Sequence, residues 1–172
     1  MNDTFLPGNG FDTYEEQNRV LMGLSGSVRS GVAVRILQQQ GFAVAAAVVR
    51  LADTPEEHAA ADAAKALAKK LDVECLALNA EALAGQDVEA ARFAALLTAA
   101  DKLGIQYVAS SHYARMETDT QGVSHLFPPE SGAPDESSRL SALSPEVLTR
   151  LILPLGDFAP EDVAEMAADF KL

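Results

Sequence analysis

Ser25, Ser27 and Ser30, interleaved with Gly23, Gly26 and Gly31 in the run RVLMGLSGSVRSG (residues 19–31), are the residues of this chain best suited to bind an anion. Small residues let a ligand approach the backbone, and the N–H groups of such a turn, with the positive end of the following helix dipole, cradle negative charge. The candidate phosphate-binding residues are therefore Ser25, Gly26, Ser27, Val28, Arg29 and Ser30. No carboxylate accompanies them. Arg29 offers a planar fork for an oxyanion but no oxygen ligand for Mg²⁺. The alternative is an ordinary strand-to-helix turn capped by Ser25 or Ser30, with Arg29 facing solvent. His112, in SSHYAR (residues 110–115), is the second candidate, either contacting the ligand or filling a structural role. His58 and His125 lack metal-ligand partners at useful spacing and read as surface residues.

These residues need elements to position them. The spacing predicts strand 19–24 leading into helix 31–40, an apolar strand 42–51, and a helix from Pro55 to Leu71 opened by a capping box of Thr54 and Glu57. Strand 74–78, helix 87–103 stopping at Gly104, and strand 105–110 follow. Such alternation implies an α/β fold, a doubly wound and mostly parallel sheet with helices on both faces. Ligands on such sheets bind beyond the carboxyl ends of the strands, so Ser25–Gly31 and Ser110–Arg115 share one crevice. A β-hairpin (116–120 with 123–127), a mobile loop Pro128–Ser138, a helix from Ser144 that includes Leu151, and a last helix from Ala159 to about Phe170 complete the chain. Residues 1–18 read as an arm and 19–172 as the domain.

Composition narrows the partners. Thirteen Lys and Arg against 25 Asp and Glu give a net charge of −12, which repels polyanions, so direct nucleic-acid binding by this chain alone is not expected. Acidic residues such as Glu56, Glu57, Asp62, Glu161, Asp162 and Glu165 read as a solvated face. The lone cysteine, Cys75, excludes an internal disulfide and sits in a strand pattern, where a thiol is structural. No apolar run reaches the roughly 18 residues of a membrane span. With no signal-peptide pattern at its start, the chain reads as cytoplasmic.

The residues around the loop carry a resemblance. Ser25-Gly26-Ser27-Val28-Arg29-Ser30-Gly31 corresponds to the pattern SGGVDSS, RFAALLTAADKLGIQYVASSHYAR (Arg92–Arg115) looks like KFGALL…LGADYIATGHYAR, and PLGDFAPEDVAEMA (Pro154–Ala167) resembles PLGDLTKEEVREIA. In order and spacing these resemble the N-terminal domain of the bacterial tRNA-specific 2-thiouridylase family (MnmA type), among the PP-loop ATP pyrophosphatases of HUP-like fold. The resemblance implies ATP-dependent adenylation of a tRNA uridine, then sulfur transfer from a cysteine persulfide.

Measured against that pattern, the chain departs where chemistry is done. Four of the seven loop positions agree, while Ser27 replaces a glycine, Arg29 an aspartate and Gly31 a hydroxyl residue. Arg29 in place of the aspartate argues against dependence on Mg²⁺. An ungapped count back from Arg92-Phe93 puts Ala84 and Asp87 where the family's NPCVLCN segment has its cysteines, and its further cysteine and tRNA-binding modules lie beyond the point matching Leu172. The expectation is a divergent thiouridylase-like domain that binds an adenine nucleotide (ATP, ADP or AMP) or a phosphate anion, with no catalytic residue of its own. The alternatives are a pseudoenzyme that binds or regulates a protein partner in tRNA or sulfur metabolism, and half of a split sulfurtransferase. Arg115, Arg150 and Asp157 are candidates for charge pairs holding the C-terminal helices. Apolar residues around Leu151–Phe158 are candidates for a docking surface.

Overall fold

Val20, Leu21 and Met22 of strand β1 (Arg19–Gly23) have no exposed surface, because the strand lies mid-sheet with helices on both faces. In the computed structural model, which describes residues 18–172, β1 pairs in parallel with β2 (Ala43–Arg50) on one side and β4 (Tyr107–Ala109) on the other. β2 pairs with β3 (Cys75–Asn79), and β4 with β7 (Leu151–Ile152), which gives a parallel five-stranded sheet of order β3-β2-β1-β4-β7. The expected arm lies outside the described residues apart from Asn18. An antiparallel hairpin of β5 (Arg115–Thr118) and β6 (Ser124–Phe127) stands apart from the sheet.

Alternation along β1 divides the core into two layers. Val20 and Met22 pack with Val32 and Ile36 of α1 (Val28–Gln39), Ala64 and Leu71 of α2 (Pro55–Leu71), and Val163 of α5 (Pro160–Asp169). Leu21 packs the other way, with Phe93, Leu96 and Ala100 of α3 (Val88–Leu103) and Val147 of α4 (Pro145–Arg150). This is the predicted doubly wound α/β architecture. The chain winds outward from β1 to β3 and then returns to β4 on the opposite side of β1. The order therefore reverses between β1 and β4, where open sheets form a crevice at their carboxyl ends.

Several local expectations are corrected. Helix α1 begins at Val28 rather than Gly31, because Ser27, extended at φ −76° and ψ 148°, accepts the N–H of Ser30 and caps the helix. The cap is thus neither Ser25 nor Ser30. Thr54 caps α2 by accepting the Glu57 N–H at 3.2 Å, but the Glu57 carboxylate takes the Leu51 N–H at 2.8 Å, so the capping box is not reciprocal. Leu151 lies in β7 rather than in the preceding helix; two residues suffice for a strand when it only extends a sheet edge. The segment expected to be a mobile loop is anchored: Ser131 Oγ donates to the Phe158 carbonyl, and Glu136 joins Arg29 and Tyr113.

Candidate functional site

The loop 25–30 follows the carboxyl end of β1 and Ser110–His112 the carboxyl end of β4; Ser25, Arg29 and residues 110–112 line a crevice of about 250 Å³, while Gly26, Ser27, Val28 and Ser30 lie behind its lining. The first loop is organised by its own hydroxyls. Ser25 Oγ lies 2.7 Å from Ser27 Oγ and 3.2 Å from Ser30 Oγ, while the buried Ser30 hydroxyl lies 2.9 Å and 2.8 Å from the Ser25 and Ser27 carbonyls. The N–H groups of Gly26, Val28 and Arg29 have no protein acceptor among the described residues, as at any helix start. The side chains hold the loop's shape. Gly26 serves packing: a Cβ there would lie 2.6 Å from the Ala63 Cβ of α2. A Cβ at Gly31 would lie 3.1 Å from Leu172 Cδ1 and 3.3 Å from Leu67 Cδ1, so this departure from a hydroxyl residue sits in an apolar contact.

Arg29 does not face solvent freely. Its Nη1 lies 3.1 Å from Glu136 Oε1, and its guanidinium sits over the Tyr113 ring, 4.6 Å from the centroid. The same Glu136 oxygen accepts the Tyr113 N–H at 2.8 Å. Arg92 and Arg139 add positive charge to the crevice lining, and Glu57 and Glu89 add negative charge.

His112 is held at both ends of its ring. Nδ1 is 2.7 Å from Ser110 Oγ and Nε2 is 3.0 Å from Glu89 Oε2 in the first turn of α3. Burial pushes the Glu89 carboxyl up, but the hydrogen bond from His112, with the charges of His112, Arg92 and Arg139, outweighs it and leaves the pKa below the ordinary carboxylate value. The crevice thus contains an ionised carboxylate bonded to an imidazole, suited to orienting that imidazole.

The positions matched to the family's cysteines have structural work. Asp87 caps α3 by accepting the Ala90 N–H at 3.0 Å, and Ala84 closes the 3₁₀ turn Glu81–Leu83. Cys75 is half-buried at the start of β3, and burial raises its thiol pKa against the opposing effects of Lys65 and the Val48 backbone. A divalent ion does not fit here. The residue at position 29 is a paired cation, Glu57 and Glu89 are engaged by Leu51 and His112, and no group of three metal-ligating side chains occurs among the described residues.

Other sequence-level candidates separate from the crevice. His58 and His125 are exposed and bonded to Asp53 and Asp119. Arg115 pairs with Glu117 and Glu130, and Arg150 with Asp101 and the carbonyls of Ile105 and Gln106; Asp157 is exposed and joins no ion pair among the described residues. Arg115 and Arg150 thus form charge pairs as expected, whereas Asp157 forms none among the described residues. Leu151 and Leu155 are buried, which removes them from any docking surface. Glu57 leaves the solvated face for the crevice. Glu89 and Glu136 were missed; the i,i+3 spacing of Glu89 and Arg92 was the one local signal, and Glu136 has none.

Residues 86–172 match a family model described as the tRNA methyl transferase HUP domain. The tRNA-specific 2-thiouridylase MnmA of Streptococcus thermophilus is 30% identical over 182 residues, covering 90% of this chain and 49% of the relative. That of Lactiplantibacillus plantarum is 28% identical over 188 residues, covering 93% and 50%. The chain thus spans about half the length of the curated relatives it matches. Two solved structures share the fold at low identity. The U34-tRNA thiolase NcsA from Methanococcus maripaludis has a TM-score of 0.60 at 14% identity, covering 94% of this chain and 64% of that one. A predicted subunit of tRNA methyltransferase from Methanocaldococcus jannaschii has 0.54 at 16%, covering 88% and 75%. With the sheet order, the loop after β1 and the family match in agreement, the chain belongs to the tRNA methyl transferase HUP-domain family, as an MnmA-like PP-loop domain.

Proposed function

We propose that residues 19–172 form a divergent tRNA 2-thiouridylase-like domain that holds an adenine nucleotide or a phosphate anion in the crevice between the loops after β1 and β4. The observation that carries this reading is the meeting of Ser25 and Arg29, at the start of α1, with His112, Arg92 and Arg139 at the sheet's switch point. An oxyanion lies against the amides of Gly26, Val28 and Arg29, and the apolar lining of Leu24, Val49, Phe93 and Leu96 receives a base. Ser25, Ser27 and Ser30 preserve the loop, and His112 borders the ligand. Binding is independent of Mg²⁺, since the position matched to the family's aspartate carries Arg29.

On this reading the chain's link to tRNA uridine thiolation is one of descent and partnership. It transfers no sulfur with its own residues, because Ala84 and Asp87 carry no thiol and the raised pKa of Cys75 opposes the thiolate form. The net charge of −12 assigns tRNA contact to a protein partner rather than to this surface, and a cytoplasmic location accompanies that role. Crystals soaked with ADP in the absence of divalent ions test the site: density for the phosphates against residues 26–29 supports it. A crevice left empty at saturating ADP would count against it.

A further inference from the structure

Glu136 lies outside the three motifs that carry the family resemblance, on the segment between β6 and α4, yet it bonds two arginines that line the crevice. Its Oε1 accepts Arg29 Nη1 at 3.1 Å and the Tyr113 N–H at 2.8 Å, its Oε2 lies 3.5 Å from Arg139 Nη1, and its backbone N–H donates to the Tyr113 carbonyl. Only 12% of its side chain is exposed. A carboxylate therefore already sits on two of the arginines that line the crevice. It does there what a ligand's oxyanion would do.

We propose that Glu136 is a resident counter-anion on Arg29 and Arg139, and that a phosphate-bearing ligand displaces it on entering the crevice. The inference rests on the crevice being a phosphate site, and it assigns that site a regulator. Two negative groups cannot share one guanidinium pair in a half-buried site without strong repulsion, so ligand and Glu136 exclude each other. Cation–π contact with Tyr113 keeps Arg29 in place when the carboxylate leaves. The segment bearing Glu136 is fixed on either side, by Ser131 on the Phe158 carbonyl and by the fully buried Leu140. The exchange is thus a local swing of the residues between these anchors, and it couples ligand binding to the position of that segment.

Glu136→Gln is the clean variant, because the amide oxygen still accepts the Tyr113 N–H while the charge is gone. Calorimetric titration of ADP in EDTA is expected to give roughly tenfold tighter binding to E136Q than to the unaltered chain. In the unaltered chain, ADP is expected to speed hydrogen exchange at residues 135–139. Equal or weaker binding to E136Q would overturn the exchange while leaving the phosphate site standing. If neither protein takes up ADP, the phosphate reading falls and the exchange with it. Should E136Q fail to fold, Arg139→Gln on an exposed side chain serves instead: about threefold weaker ADP binding is expected, and unchanged affinity overturns the proposal.

Discussion

Glu89 holds His112 across 23 residues of sequence, from the first turn of α3 to the loop after β4, with 3.0 Å between Oε2 and Nε2. Both side chains are largely buried, and the imidazole is fixed by Ser110 on its other nitrogen. The pair fastens helix to sheet at the floor of the crevice and sets which way the ring points.

A pH dependence follows from the lowered pKa of Glu89. A carboxylate whose folded pKa lies below its unfolded value, about 4.3, contributes stability that is complete above that value and is lost as pH falls through the folded one. Glu89→Gln is expected to cost about 1–2 kcal/mol near neutral pH, as for a hydrogen bond to a charged group. Denaturant melts of both proteins check this. The difference is expected to shrink as the pH drops below 4; a constant difference would assign Glu89 a role that does not depend on its charge.

Gly26 tests whether the loop's glycine serves packing. With its added Cβ 2.6 Å from Ala63 Cβ, Gly26→Ala forces the loop from α2 and is expected to destabilise by about 1–3 kcal/mol. Ala63→Gly removes the opposing methyl at a helix-propensity cost of about 1 kcal/mol. In the double variant the two losses are expected to sum to less than their separate values, as read by thermal unfolding. Strict additivity would deny the contact.

Restoring the family's residue at position 29 is expected to destabilise the fold. Arg29→Asp places a carboxylate beside the largely buried Glu136 and deletes the contact with Tyr113, for an expected loss of about 1–3 kcal/mol. Glu136→Gln in that background is expected to recover part of the loss. A double-mutant cycle with a coupling energy near zero would show that the two side chains act independently.

These contacts mark how far the sequence could be read. The parallel sheet was legible because β1 and β2 are continuous apolar runs and α3 carries a helical period, and the crevice because its loops follow strand ends. Leu151–Ile152 was not, since a two-residue edge strand has no period and depends on β4 for its identity. Glu57 reads from the sequence as a capping partner of Thr54 on a solvated face, yet it bonds to Leu51 across the turn. Arg29 was read as either a phosphate ligand or a solvated charge, because its partner Glu136 is 107 residues away and only the fold joins them.

Cys75 provides a separate check on sulfur chemistry. Burial raises its thiol pKa, so its alkylation by iodoacetamide at pH 8 is expected to be slower than that of a free cysteine. Rapid alkylation in the folded chain would reopen Cys75 as a sulfur carrier. Cys75→Ser is expected to leave nucleotide binding unchanged, since the residue does not line the crevice between β1 and β4.

Calorimetry of ADP binding with EDTA or with excess Mg²⁺ tests most directly whether protein cations rather than a metal hold the phosphate in the proposed crevice. Saturable binding of similar affinity is expected in both conditions. Binding that appears only with Mg²⁺, or no binding in either, would contradict this reading.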